Sequence, residues 1–200
     1  MASVESPVFS LPRSVPLSPD SQSAGVISSP WLRFTWKTSG VGALPAVGGD
    51  LIRHATREEG EEVLRVILLS LSMDSAWNDS LAAAEQYLKA EVARIFNGED
   101  PLCLVLPKGN RLIAVSLLDP TPEAASHLVG GPAVLMEYRN RGLGTRLLHA
   151  SLTELGVRGV SVASGITRAR TVAATHVYPK FGGSGEPTGF PSSKPVEAKA

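Results

Sequence analysis

One segment, residues 133–155, constrains this chain more than any other. An apolar run of Ala133, Val134, Leu135 and Met136 leads through Glu137 and Tyr138 into Arg139, Asn140, Arg141, Gly142, Leu143 and Gly144. Leu143, Leu147, Leu148, Leu152 and Leu155 then recur at helical spacing. The order is strand, tight loop, helix, with two glycines and two arginines in the six residues at the joint. A helix start leaves backbone N–H groups unpaired and carries the positive end of the helix dipole. A phosphate is the natural partner of such groups. Gly142 and Gly144 keep side chains out of its approach, and Arg139 and Arg141 add charge-assisted hydrogen bonds. An ordinary strand-to-helix turn would explain the glycines, but not the glycines, arginines, strand and amphipathic helix together. The joint reads as a site for a phosphate or pyrophosphate. It is not a Walker A loop, because no G-K-[ST] follows. It is not a dinucleotide fingerprint either, since Thr145 and Arg146 follow Gly144 and no third glycine is in place.

Any anion site must be local, because 19 Lys plus Arg balance 19 Asp plus Glu. That neutrality gives no reason to expect a nucleic-acid or membrane partner. With 200 residues, 43% of them hydrophobic, the chain can bury the core of one domain with tails, or at most of two small domains. The single cysteine, Cys103, lies in the apolar run LCLVL and reads as a buried structural thiol in a reducing compartment. Four histidines without ligand spacing predict no metal site. No apolar run reaches transmembrane length and the N-terminus has no secretory-type apolar core, so the expected location is cytoplasmic. The Ser-rich start resembles a transit peptide, but Glu5, Asp20 and the scarcity of arginine weigh against one.

The chain divides as follows. Residues 1–30 hold nine Ser and five Pro and are expected to be a disordered tail. Residues 31–49 comprise an extra strand and a linker; Leu32, Phe34 and Trp36 alternate with Arg33, Thr35 and Lys37. Residues 50–183 form the main domain. In it, 51–55 is a short strand, and Thr56 with Glu59 makes a capping box for a helix over 57–72. Leu81, Ala84, Leu88, Val92 and Ile95 mark a second helix ending before Gly98. Residues 102–106 and 111–118 form a hairpin around Gly109. After the glycine-arginine joint, a strand over 159–163 and a helix over 168–178 complete the domain. Residues 184–200, rich in Pro, Gly and Ser, are expected to be a disordered tail. The fold class is mixed α/β or α+β.

Arg139 to Gly144 resembles the R/Q-x-x-G-x-G/A acyl-CoA signature of the GNAT superfamily of N-acyltransferases. The preceding apolar strand, Glu137-Tyr138, the later strand and helix, and the phrase Tyr178-Pro179-Lys180-Phe181-Gly182 agree with it. So does the upstream stretch LIRHATREE, and the resemblance covers about residues 50–183. It implies a GNAT-like mixed sheet flanked by helices, with a shortened C-terminus. It implies acetyl-CoA as co-substrate, its pyrophosphate held by the backbone of Arg139, Asn140, Arg141, Gly142, Leu143, Gly144 and Thr145. Its pantetheine arm would pair with the strand edge at Val134, Leu135 and Met136, where a backbone N–H would polarise the thioester carbonyl. Arg146, Arg168 or Arg170 would meet the 3′-phosphate. Tyr178 would protonate the leaving thiolate. The acceptor would be a small-molecule or peptide amine, acetylated by direct attack in a ternary complex.

Two positions depart from the family. Thr171 stands where members often have an asparagine that contacts the cofactor. Only 17 residues follow Gly183, where the family has two further strands. The extra strand Trp31–Lys37 would cover the vacated sheet region, in cis or from the partner of a homodimer. Glu137, His127 and Asp119 are candidates for a general base. The alternative reading is a non-catalytic acyl-CoA-binding or sensing module, and a third is a binder of some other phosphate ligand.

Overall fold

The computed structural model describes residues 30–42 and 51–190. The disorder expected for 1–29 and 191–200, and most of the expected linker, fall outside these residues. The described chain builds one mixed sheet of seven strands. They are β1 (Trp31–Lys37), β2 (Arg53–His54), β3 (Cys103–Lys108), β4 (Arg111–Leu118), β5 (Leu128–Val134), β6 (Val162–Arg168) and β7 (Ser184–Thr188). Their spatial order is β2-β3-β4-β5-β6-β1-β7. Helices α1 (Gly60–Ser72) and α2 (Leu81–Phe96) cover one face, and α3 (Leu143–Val157) covers the other.

Both faces are apolar because β3 and β4 carry runs of buried residues rather than a one-sided alternation. Cys103, Val105, Val115 and Leu117 meet Val63, Ile67, Leu88 and Val92 on one side. Leu104, Leu106, Ala114 and Leu118 meet the α3 stripe Leu147, Leu148, Leu152 and Leu155 on the other, each of the four leucines fully buried. The capping box is present: Glu59 accepts the Thr56 N–H at 2.8 Å.

Every neighbouring pair is antiparallel except β5 and β6, which run parallel and share the single register pair Leu128↔Gly165. Beyond that pair the two strands part, and the sheet opens in its middle. This split positions the site.

The expected strand over 159–163 lies three residues later, as Val162–Arg168, and the expected helix over 168–178 is reduced to a short π-helix, Ala173–Val177. Polar residues obscured both boundaries. Ser164, Thr167 and Arg168 are buried because each finds a polar partner: His127, Thr171 and Asp79 respectively. Leu135 and Met136, expected within a strand, follow the end of β5. Residues 184–188, expected to be tail, form β7 against β1. Its side chains are mostly exposed, so the sequence carries no apolar signal for it.

β1 is interior, paired antiparallel to β6 on one side and β7 on the other. It joins the sheet in cis, and β7, its outer neighbour, itself follows Gly183, where no strand was expected. Phe34 and Trp36 point into the α3-side core, where Trp36 is 1% exposed.

Cys103, Tyr87 and Tyr178 are held neutral by burial, which pushes each above its ordinary value, Tyr87 to about 12. A raised folded-state pKa keeps the proton on the folded chain after the unfolded chain has lost it. The stability linked to these groups is complete below the unfolded values, about 8.5 for Cys and 10 for Tyr, and is lost above them. The melting temperature is therefore expected to fall steadily from about pH 9 to 11. A flat profile across that window, measured by circular dichroism, would contradict the burial of these groups.

Candidate active site

The split between β5 and β6 opens into a cavity of about 420 Å³. Its walls include Gly130 to Val134 of β5 and Ile166 and Thr167 of β6. It reaches Ser70, Asp74, Trp77 and Tyr87 on the α1–α2 side and Gly142 to Thr145, His176 and Lys180 on the α3 side. The cavity thus passes through the sheet.

At the α3 end, Gly142 is the N-cap, with φ 75° in the left-handed region that favours glycine. Among the described residues no side chain caps the helix, and no acidic residue lies in its first turn. The first intrahelical bond runs from the Arg146 N–H to the Gly142 carbonyl at 3.1 Å. The amides of Leu143, Gly144 and Thr145 precede it and have no helical acceptor. A Cβ at Gly144 would meet only ordinary contacts, the nearest being Val177 Cγ2 at 3.6 Å. The protein's own packing does not require glycine there; the free space belongs to the cavity. Lys180 Nζ donates to Thr145 Oγ1 at 3.0 Å, which brings a cation to the same turn. An uncapped helix start, open space and a lysine fit a pyrophosphate.

Between the two ends lies the open edge of β5. The Leu135 N–H donates to the Ile113 carbonyl of β4 at 3.0 Å. Alternation then turns the Val134 amide and carbonyl to the opposite, open edge. The Val134 carbonyl confirms this direction, accepting from Arg139 Nε at 3.1 Å and Ser70 Oγ at 3.3 Å. Two residues earlier Pro132 has no N–H, so Val134 is the donor this stretch of edge presents.

Tyr178 is 4% exposed, with burial pushing its phenol pKa up. Its hydroxyl donates to the Gly131 carbonyl at 2.8 Å, and its own carbonyl accepts from Trp36 Nε1 at 3.0 Å. Phe34 and Trp36 pack against its ring at centroid distances of 5.3 and 5.1 Å.

Of the residues singled out from sequence, Val134, Arg139, Asn140, Gly142, Leu143, Gly144, Thr145, Thr171 and Tyr178 line the cavity. Three do not. Leu135 is buried in the α1–α2-side core, Met136 is 59% exposed, and Arg141 lies outside with its guanidinium 5.5 Å from the Tyr138 ring. The Arg139 side chain is turned inward, donating also to Ser70 O at 2.7 Å, so it ties α1 to β5. The Thr171 hydroxyl donates to Arg168 O at 2.9 Å and accepts from the Ala174 N–H at 3.1 Å, which makes it a local cap. Arg168 is buried against Asp79 and Trp31 on the α1–α2 side, away from the α3 start.

None of the three base candidates lines the cavity. Glu137 pairs with Arg111 at 3.3 Å. Burial pushes the His127 pKa down, and its Nδ1 accepts from the Ser164 N–H at 3.1 Å. Burial alone would raise the Asp119 carboxyl, but hydrogen bonds from Thr121 and the Arg94 partner outweigh it and hold the pKa low.

Sequence reasoning missed Asp74, Lys180, Trp31 and Phe190 as cavity residues. Lys180 stands two residues from Tyr178, a usable signal. The others come together only through the fold.

The sequence profile of the acetyltransferase (GNAT) family matches residues 68–183. No curated protein matches the sequence. A Drosophila protein is similar in structure at 16% identity and a TM-score of 0.54, over 80% of this chain and 48% of that one. A GCN5-related N-acetyltransferase from Sphaerobacter thermophilus gives 16% identity and 0.52, over 80% and 50%. A protein assigned to the GNAT family from Novosphingobium aromaticivorans gives 19% and 0.50, over 79% and 60%. These likenesses are of fold, and this chain spans about half to three-fifths of the length of those structures. With the family profile covering more than half of its residues and the sheet split at the β5–β6 pair, the chain belongs to the GNAT acetyltransferase family.

Proposed function

We propose that this chain transfers an acetyl group from acetyl-CoA to a primary amine, both held in the one cavity. The observation that carries this reading is the cavity's polarity. An uncapped helix start with Lys180 lies at one end, Asp74 at the other, and the open β5 edge between them.

Acetyl-CoA would supply the acetyl thioester as second substrate. Leu143, Gly144, Thr145 and Lys180 bind its pyrophosphate. The open β5 edge aligns the extended arm as a further strand would be aligned. The Val134 N–H donates to the carbonyl oxygen on which negative charge develops. The ammonium first gives one proton to solvent; the neutral nitrogen then bonds to the carbonyl carbon and sheds a second proton as the C–S bond breaks. Tyr178 gives its proton to the departing sulfur, which requires the hydroxyl to leave the Gly131 carbonyl. The second proton shed by nitrogen restores the phenol through solvent.

The competing reading, acyl-CoA binding without turnover, is favoured by that same hydrogen bond, because it uses the only proton of Tyr178. Tyr178→Phe separates the two. We expect turnover, followed as free-thiol release, to fall by about 10²-fold or more while acetyl-CoA affinity changes less than about threefold. Unchanged turnover removes Tyr178 from the chemistry. Acetyl-CoA binding by the intact chain, with no thiol released from it in the presence of any primary amine, establishes the binding module instead.

A further inference from the structure

We propose that the acceptor is a small primary amine on a flat, apolar body such as an arylalkylamine, seated among Trp31, Trp77, Tyr87 and Phe190 with its ammonium toward Asp74. This rests on the acetyl-transfer reading of the same cavity. The four rings come from distant parts of the chain: the start of β1, the turn after α1, the middle of α2, and the residue two past β7. Edge contacts join them into one wall. Centroid distances are 5.5 Å for Trp31 and Trp77, 5.0 Å for Trp31 and Phe190, and 5.8 Å for Tyr87 and Phe190. All four line the cavity.

Among the described residues that line the cavity, Asp74 is the single carboxylate. It follows α1 by two residues and lies four residues beyond Ser70, whose hydroxyl touches the Val134 carbonyl. An amine drawn to Asp74 therefore lies close to the open β5 edge. One Asp74 oxygen accepts the Ala76 N–H at 3.1 Å, which holds the side chain in place. Aromatic faces, a carboxylate and the C-terminal end of α1 all attract an ammonium group.

Size and charge select among amines. A cavity of about 420 Å³ must also admit the reacting end of the thioester arm, which favours a small acceptor held wholly inside over a peptide of which only the first residue would enter. One carboxylate suits one ammonium, whereas a polyamine calls for several. An amino acid would need a cation for its own carboxylate. Arg168 already pairs with Asp79, and Arg139 already serves Ser70 and Val134. An aminoglycoside would need many polar partners where this wall presents rings.

The test follows thiol release from acetyl-CoA with tryptamine, 2-phenylethylamine, spermidine and an alanine-led tetrapeptide. Calorimetry runs in parallel, with acetyl-CoA titrated into the full chain and tryptamine into the CoA-saturated chain. The expected kcat/KM for the two aromatic amines exceeds that for spermidine and the peptide by at least about 30-fold. Trp77→Ala and Asp74→Asn are each expected to raise the tryptamine KM about tenfold or more with acetyl-CoA affinity unchanged. Turnover that favours spermidine or the peptide overturns the aromatic acceptor and leaves acetyl transfer standing. Tryptamine binding without thiol release keeps the aromatic chamber and overturns acetyl transfer. Absence of acetyl-CoA binding together with absence of tryptamine binding overturns both.

Discussion

Trp36→Ala is expected to lower the unfolding free energy by about 3–5 kcal/mol, close to half the stability of an ordinary domain. The indole is 1% exposed and sits in the middle of an interior strand. It packs nearly parallel to Phe34 at 6.0 Å, stands edge-on to Tyr178 at 5.1 Å, and donates to the Tyr178 carbonyl. Truncation opens a cavity, leaves that buried carbonyl without its donor, and frees the tyrosine proposed as the acid. Turnover should therefore fall further than the loss of folded protein alone explains. Lys37→Ala, one residue on and exposed, should stay within about 0.5 kcal/mol. Urea unfolding of both variants decides the matter. A Trp36→Ala loss below about 1 kcal/mol would mean that β1 does not stand between β6 and β7.

Gly144→Glu should reduce acetyl-CoA affinity by at least about 100-fold, about 2.7 kcal/mol, without lowering the melting temperature. The two effects separate because of where Gly144 stands. A Cβ there makes only ordinary contacts with Val177 and Val134, and a carboxylate in the first turn of α3 favours the helix. The same carboxylate occupies and repels the place proposed for the pyrophosphate. Calorimetric titration and a thermal scan on one preparation read both quantities. Retained affinity would remove the α3 start from the binding site. Lost affinity with a much lower melting temperature would point to packing instead.

The glycine-arginine joint was legible because its chemistry is local. Left-handed backbone at Gly142, uncapped amides and the leucine stripe all follow from neighbours within a dozen residues. The hairpin of β3 and β4 was legible for the same reason, from apolar runs on either side of Gly109. β7 was not, because an exposed edge strand is held by backbone hydrogen bonds that any sequence can make. The bounds of β6 were hidden by buried polar residues whose partners lie 4 to 89 positions away. Arg168 could be assigned to a phosphate from sequence, and the fold turns it to Asp79 instead.

The sequence by itself determined the α/β class, the strand, glycine-rich loop and helix start around residues 139–145 and the extended conformation of Trp31–Lys37, and its motifs carried the resemblance to the family. Each depends on spacing along the chain, through periodicity, glycine freedom or the free amides of a helix start. Only the tertiary structure decided that Trp31–Lys37 enters the sheet between β6 and β7, and that the sheet splits at Leu128 and Gly165. It alone brought Asp74, Lys180 and the four aromatic rings to one cavity. These are contacts between residues far apart in the chain. They are decided by the burial and pairing of whole surfaces, which no local pattern encodes.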